Sequence, residues 1–363
     1  MIDNSNLLKK LLARGRIRLQ DGETLREIPA ALPESIGFQK IEGMLLGLAI
    51  GDSLGAASEG MLPTERRRRH GEIRSYLPIR TSEYRSVGVP TGDTQLSFWT
   101  LEQLIVDRGL IPENLTRRFC EHRIRGMGNT TRAFIRNCKG RNVRWYSAGL
   151  DSLDNGALMR VAPVIVPHLH QQSPALYADA AIAGMITHNS FASNASCVAL
   201  VKMLWHLLGM AATPEPRWWI DTFCGTLEEL EGKTCYAQHR TPLWKYTKKR
   251  VGSALRRKLT VVEACDEWGS GPSLFETLPS VLYILANHAA NPEEAIVRAV
   301  NDTRDSDTIG AVVGAAVGAL YGMKGLPQPW IDDLLGQTRV EVADDGRVFK
   351  LLLQAKRHFW LTG

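Results

Sequence analysis

The 363-residue chain lacks the devices that small or secreted domains rely on. Its six cysteines, at 120, 138, 197, 224, 235 and 265, include no CxxC pair. Neither a zinc site nor a disulfide framework is indicated. The longest apolar run, 309–323, falls short of the ~20 residues that cross a bilayer. The N-terminus, MIDNSNLLKKLL, carries an early acid, and Lys9 and Lys10 break its leucines, so it does not read as a secretory signal. Charge of one sign is also scarce. The formal net charge of +6 suits a phosphate-bearing ligand or an acidic partner, and it is too small to argue for nucleic acid. Period-two alternation is missing, and no repeat of 20–50 residues is evident. What remains is helical periodicity from about 43 to 335. The expectation is an all-α, single-domain, cytoplasmic protein with no membrane contact.

Glycine is where the sequence becomes specific. Gly43, Gly47, Gly51 and Gly55 recur every fourth residue in one apolar segment, and Gly310, Gly314, Gly318 and Gly322 do so in another. Each set lies along one side of a helix. A glycine costs about 1 kcal/mol against alanine inside a helix. Four at fixed spacing need a reason, and close approach of a second helix supplies one. The spacing predicts that helix 43–55 packs on helix 309–322.

Oxygen-bearing side chains gather where helices begin. Asp305, Asp307 and Thr308 open the second glycine helix, and Thr91, Asp93 and Thr94 open another whose Phe98, Leu101 and Ile105 face the core. Asp307 is either a plain N-cap or, with its neighbours, a ligand for a hard cation. Asp52 lies within an apolar run with Glu59 just beyond it, and a carboxylate there is either paired or functional. Asn155–Gly156 is an ordinary turn former that also exposes N–H groups to an anion. His188 alone reads as a structural histidine. The run Arg66–Arg69, in a proline-broken stretch of loop character, reads as a solvated face, with contact to an acidic partner as the alternative and nucleic acid as a third choice. Residues 1–38 lack the periodicity of the rest. They are either a frayed tail or an arm in which Leu7, Leu8, Leu11 and Leu12, flanked by Lys9, Lys10, Arg14 and Arg16, dock on a partner. In either case they are expected to be dispensable for folding of the core.

Five pieces in order, GLAIGDSLG with Glu59 (47–59), PTGDTQ (90–95), DNGALMR (154–160), THN (187–189) and RDSDTIGAVVGAAVGALYG (304–322), resemble the ADP-ribosylglycohydrolase family, relatives of the dinitrogenase-reductase-activating glycohydrolase. The resemblance implies a compact all-α fold over 39–363 with two Mg²⁺ ions at the bottom of a cleft. It implies hydrolysis of the bond between ADP-ribose and a protein side chain, commonly arginine. Carried over by residue, the metal ligands are Thr91, Asp93, Asp305, Asp307 and Thr308. Glu59 takes part in acid–base catalysis, and Asp307 is essential to it. Asn155, Gly156 and Ala157 form the loop that holds phosphates or the distal ribose, and His188 touches the phosphates. Gly92 stands where the family usually has another aspartate, which weakens one metal site, and Arg304 stands where glycine is common. The N-terminal extension further resembles a branch of immunity proteins that protect bacteria from ADP-ribosyltransferase toxins. There, residues 1–38 would plug the toxin's active site. The alternative within this resemblance is a protein that acts mainly by such occlusion, with little or no catalysis.

Overall fold

Two glycine faces meet at the centre of the molecule. The computed structural model describes residues 3–80, 85–140, 143–170, 173–335 and 347–361. Its helices in the first half are α1 (Ser5–Ala13), α2 (Gln39–Gly55), α3 (Pro63–His70), α4 (Gly92–Asp107), α5 (Pro112–Glu121), α6 (Asn129–Cys138), α7 (Ala175–Met185) and α8 (Phe191–Gly209). The second half adds α9 (Pro216–Glu231), α10 (Leu243–Arg257), α11 (Val261–Trp268), α12 (Leu274–His288), α13 (Pro292–Asp302), α14 (Ser306–Tyr321), α15 (Gln328–Asp332) and α16 (Arg347–Phe359). The strand structure among the described residues is one antiparallel ribbon of two-residue strands, with Ile79 opposite Ser86.

Helices α2 and α14 run antiparallel with their glycines in register. A Cβ on Gly51 would stand 2.0 Å from the carbonyl oxygen of Gly310, and one on Gly55 would stand 2.3 Å from that of Ser306. Without side chains between them the backbones touch, closer than the usual 8–10 Å between helix axes. Both helices are buried over nearly their whole length, which is why each is apolar all round. Helices α4, α8, α12 and α13 pack around this pair. Helix α8 is long and apolar enough to cross a bilayer, yet 83% of its apolar window is buried inside the protein, as suits a core helix.

Two sequence expectations are corrected here. The arginine run lies on a helix, α3, opened by Pro63 at its first turn, and Arg66 is fully buried; only Arg67, Arg68 and Arg69 form a solvated face. The leucine face of the N-terminal segment also finds its partner within the chain. Leu8 and Leu11 are buried, with α1 packed on α7. Asn4 donates to the Leu110 carbonyl at 2.9 Å and to Asp179 at 2.6 Å. Ile17, Leu19, Leu25 and Phe38 are buried further along, and Trp205 donates to the Ala30 carbonyl at 2.9 Å. The cations Lys9, Lys10, Arg14 and Arg16 stay exposed, as do Arg18, Arg26 and the acids Asp21, Glu23 and Glu27.

Candidate active site

Helix α2 ends by delivering a carboxylate to the start of α4. Asp52 is fully buried. Its two oxygens each accept the Thr91 N–H at 3.0 Å, and Oδ2 also accepts the Thr94 N–H at 3.0 Å and the Thr94 hydroxyl at 2.5 Å. A buried anion is tolerable when N–H donors at a helix N-terminus meet it. The cap residue itself is Thr91, whose hydroxyl accepts the Asp93 N–H at 3.3 Å, rather than Asp93 or Thr94. Asp52 therefore fixes the Thr91–Thr94 turn and leaves the Asp93 carboxylate to face inward. One oxygen of Asp93 receives the Thr91 hydroxyl at 3.3 Å, and Oδ2, buried, has no hydrogen-bond partner among the described residues.

The start of α14 meets that turn. Its N-cap position is Asp305, and no side chain caps the helix, so Asp307 is not a plain N-cap. Oδ1 of Asp307 is buried and unpartnered. Asp305 is held from behind: Asn155 donates to its Oδ2 at 2.6 Å and to the Thr277 hydroxyl at 2.8 Å. Glu59, exposed at the mouth, brings a carboxylate oxygen within 4.8 Å of oxygens of both Asp305 and Asp307.

Burial and mutual repulsion push these acids up. Asp307 and Asp93 lie well above the ordinary carboxylate range, through burial first and then the neighbouring acids; for Asp93 these are Asp52 and Asp305, with the Thr308 hydroxyl pulling the other way. Asp305 is raised to about 6 by burial, opposed by the Asn155 bond. Glu59 is raised by desolvation and then by Asp52. Two buried carboxylate oxygens without partners, in a set of donors that is all oxygen, fit a hard divalent cation.

The Asn155 turn joins this cluster to His188. A Cβ on Gly156 would stand 2.8 Å from Cε1 of His188 and 3.0 Å from Nε2, so only glycine lets the ring lie so close. Behind the ring, Nη2 of the buried Arg160 donates to the Thr187 hydroxyl at 2.7 Å, and that hydroxyl lies 2.7 Å from Nδ1 of His188. An arginine cannot accept, so Thr187 receives from Arg160 and its own proton is free to go to Nδ1. With the hydroxyl proton on that bond, His188 carries its proton on Nε2, on the Gly156 side. Burial and Arg160 push its pKa down to about 3, which keeps the ring neutral. Ala157 is buried beneath the turn.

The structure thus brings Glu59, Asp305 and Asp307 into one cluster, sets Thr91, Asp93 and Thr308 at its edge, and links it to Asn155, Gly156 and His188 through the Asn155–Asp305 bond. Sequence reasoning had singled out Asp52, an acid inside an apolar run, as either paired or functional, and the structure shows it paired with Thr91 and Thr94. It missed three supporting residues: Arg66, Arg160 and Thr277. The two departures also have structural counterparts. A Cβ at Gly92 would stand 2.8 Å from the Arg125 carbonyl oxygen and 2.9 Å from Cγ2 of Ile124, and Gln95 holds the Arg125 N–H at 2.7 Å. An aspartate at 92 would need this backbone to move. Arg304 is exposed, with Nε 3.4 Å from the Gly60 carbonyl.

Comparison with known proteins identifies the family. The sequence model of the ADP-ribosylglycohydrolase family matches residues 33–358. The chain is 28% identical over 330 residues to the ADP-ribosylarginine hydrolase Tri1 of Serratia proteamaculans, covering 88% of this chain and 81% of that one. It is 27% identical over 309 residues to the ADP-ribosyl-[dinitrogen reductase] glycohydrolase of Rhodospirillum rubrum, covering 80% of this chain and 89% of that one. A solved structure titled ADP-ribosylglycohydrolase-related protein complex shares the fold, with a TM-score of 0.66 over 88% of this chain and 98% of its own, at 23% identity. The family match takes in every residue of the acidic cluster and of the turns that carry it, and the chain, a glycoside-cleaving hydrolase, belongs to the ADP-ribosylglycohydrolase family.

Proposed function

We propose that this protein removes ADP-ribose from modified arginine side chains of proteins in a Mg²⁺-dependent reaction. The observation that carries the metal is the pair of orphaned buried oxygens, Asp93 Oδ2 and Asp307 Oδ1, in the same acidic cluster. Thr91, Asp93, Asp305, Asp307 and Thr308 would hold the cation. Two ions are expected from the family, one of them weakened because Gly92 supplies no ligand. When bound, Mg²⁺ would neutralise the cluster, engage the vicinal hydroxyls of the ribose and lower the pKa of a water. The protein's own residues do the rest. Glu59, its carboxyl raised by burial and then by Asp52, gives a proton to the departing guanidine nitrogen as the C–N bond breaks. The water oxygen bonds to the anomeric carbon, and its lost proton returns to Glu59. Asp305 and Asp307 favour the positive charge that develops on the sugar. Asn155 keeps Asp305 in place, its own N–H held by the Pro272 carbonyl at 2.9 Å, and the N–H groups of Gly156 and Ala157 with the His188 ring would meet the diphosphate.

Two relatives with arginine hydrolase in their names support the arginine linkage. Incubation with arginine-ADP-ribosylated protein, with and without Mg²⁺, tests the proposal. Free ADP-ribose should appear only with the metal. Release from hydroxyl- or carboxylate-linked ADP-ribose alone would move the proposal to another linkage. A second reading, neutralisation of a cytoplasmic ADP-ribosyltransferase toxin bound through residues 1–38, is favoured by the exposed Lys9, Lys10, Arg14 and Arg16. These would suit the acidic cleft of a transferase. Calorimetry with such a toxin decides it.

A further inference from the structure

The arginine run of α3 holds one member apart. Arg67, Arg68 and Arg69 are exposed, whereas Arg66 is fully buried. Its guanidinium has five N–H donors, and all five are used. Nε donates to the Ser58 hydroxyl at 2.8 Å. Nη2 donates to the Ser58 carbonyl at 3.0 Å and the Met61 carbonyl at 3.2 Å. Nη1 donates to the Asn301 carbonyl at 3.0 Å and the Thr303 carbonyl at 2.6 Å. The acceptors belong to two segments over 200 residues apart in sequence. One, 58–61, is the turn that presents Glu59. The other, 301–303, leads directly into Asp305 and Asp307. A single backbone bond, Gly60 N–H to the Arg304 carbonyl at 2.9 Å, also joins them.

None of the five acceptors is a carboxylate. Burial lowers the guanidinium's pKa, and Asp302 and Asp307 oppose this from a distance. A buried cation spent on carbonyls of two turns, both of which carry acids of one site, is placed to set the spacing of those acids. We propose that Arg66 is the positioning residue that fixes Glu59 relative to Asp305 and Asp307, so that the carboxylates stand ready for the cation and the leaving group. This rests on the metal-dependent reading given above. Lysine in its place offers three donors from one nitrogen and cannot span both turns in the same plane.

The test uses the full chain with Arg66→Lys, Arg66→Met and, as a surface control, Arg68→Met. For each, circular dichroism and thermal melting report folding. Calorimetry reports Mg²⁺ binding, steady-state kinetics report kcat and KM, and hydrogen exchange reports the amides of 58–61 and 301–305. Arg66→Lys should fold, lose about tenfold or more in Mg²⁺ affinity and in kcat with a smaller change in KM, and exchange faster in both turns; Arg66→Met should be worse. Arg68→Met should match the parent. If Arg66→Lys keeps kcat, Mg²⁺ affinity and exchange within about twofold per folded molecule, Arg66 only stabilises the fold and the proposal is overturned. Should Arg66→Met fail to fold, the lysine variant decides alone. Should the parent release no ADP-ribose from arginine, that reading of substrate fails, while binding and exchange still test Arg66.

Discussion

Gly47 and Gly314 exclude side chains from each other: a Cβ on Gly47 would stand 2.1 Å from the Gly314 carbonyl oxygen, and one on Gly314 would stand 2.0 Å from that of Gly47. The obstacle is backbone on both sides, so no rotamer change relieves it. Gly47→Ala or Gly314→Ala should cost on the order of 1–3 kcal/mol, and Gly314→Leu at least that, as read by chemical denaturation. The site end of the seam should respond differently. A Cβ on Gly55 would stand 2.4 Å from the Asp307 nitrogen, so Gly55→Ala should displace the start of α14 and lower Mg²⁺ affinity as well as stability. Gly43→Ala, at the far end, should lower stability alone. Equal metal affinities in the two variants would show that the seam does not set the site.

Asp307 should destabilise the protein when no cation is present. Its carboxyl is pushed up by burial first, then by Asp305, Asp93, Glu59 and Asp52. A carboxylate raised in the folded state contributes stability that is full below its unfolded pKa, near 4, and is lost as pH rises through the raised value. The metal-free protein should therefore lose melting temperature as pH rises above about 4, and Mg²⁺ should restore it most at the upper end of that fall. Asp307→Asn should flatten that loss, abolish the Mg²⁺-induced rise and abolish hydrolysis. A variant that still gains melting temperature with Mg²⁺ would remove Asp307 from the ligand set.

The site was legible in the sequence to the extent that its chemistry demands particular residue types. Asp93, Asp305 and Asp307 stand at helix starts with hydroxyl neighbours, and a close helix pair needs glycine at every fourth place, so both patterns survive in the linear order. Arg66 was not legible. Its partners are four backbone carbonyls and one serine hydroxyl, and carbonyls have no sequence signature, so a buried arginine among exposed ones looks like part of a charged face. The direction of the leucine face was hidden for a similar reason. An amphipathic helix states that it has a partner, not which one. For α1 it is α7, an alanine-rich helix buried along its length.

Thr187 should act through His188 rather than on the ligand itself. It accepts a hydrogen bond from Arg160 and is placed to donate one to Nδ1, which would leave Nε2 as the donor toward Gly156. Thr187→Val keeps the shape and removes the relay. The ring would then be free to carry its proton on Nδ1, with an acceptor facing the diphosphate. ADP-ribose affinity should fall by about tenfold, the value of one hydrogen bond to a charged group, and Thr187→Ser should restore it. Nitrogen-15 shifts of His188 report the tautomer. An unchanged Nε2–H signal in Thr187→Val, with unchanged affinity, would show that the relay does not matter.

The N-terminal segment should prove structural, whatever partner it also meets. Leu8, Leu11, Ile17, Leu19 and Leu25 are all buried, and fully burying such side chains is worth about 1.5–3 kcal/mol each as an upper estimate. The segment also braces the site. Asn189, next to His188, accepts the Arg18 N–H at 3.0 Å and donates to the Arg16 carbonyl at 2.8 Å, and Asn194 donates to the Arg18 carbonyl at 3.0 Å. A chain lacking residues 1–32, which lie outside the family match, should melt several degrees lower and bind ADP-ribose more weakly. It is therefore the wrong variant for testing a docking arm, because loss of a partner would follow from loss of the fold. Charge reversal of Lys9, Lys10, Arg14 and Arg16 separates the two, since all four are exposed and α1 packs through its leucines. That variant should keep its melting temperature and its hydrolase activity, and it should lose affinity for a transferase whose cleft is acidic. A truncated chain as stable as the full one would show that the leucine packing carries no weight, and the segment would again be an arm free to dock elsewhere.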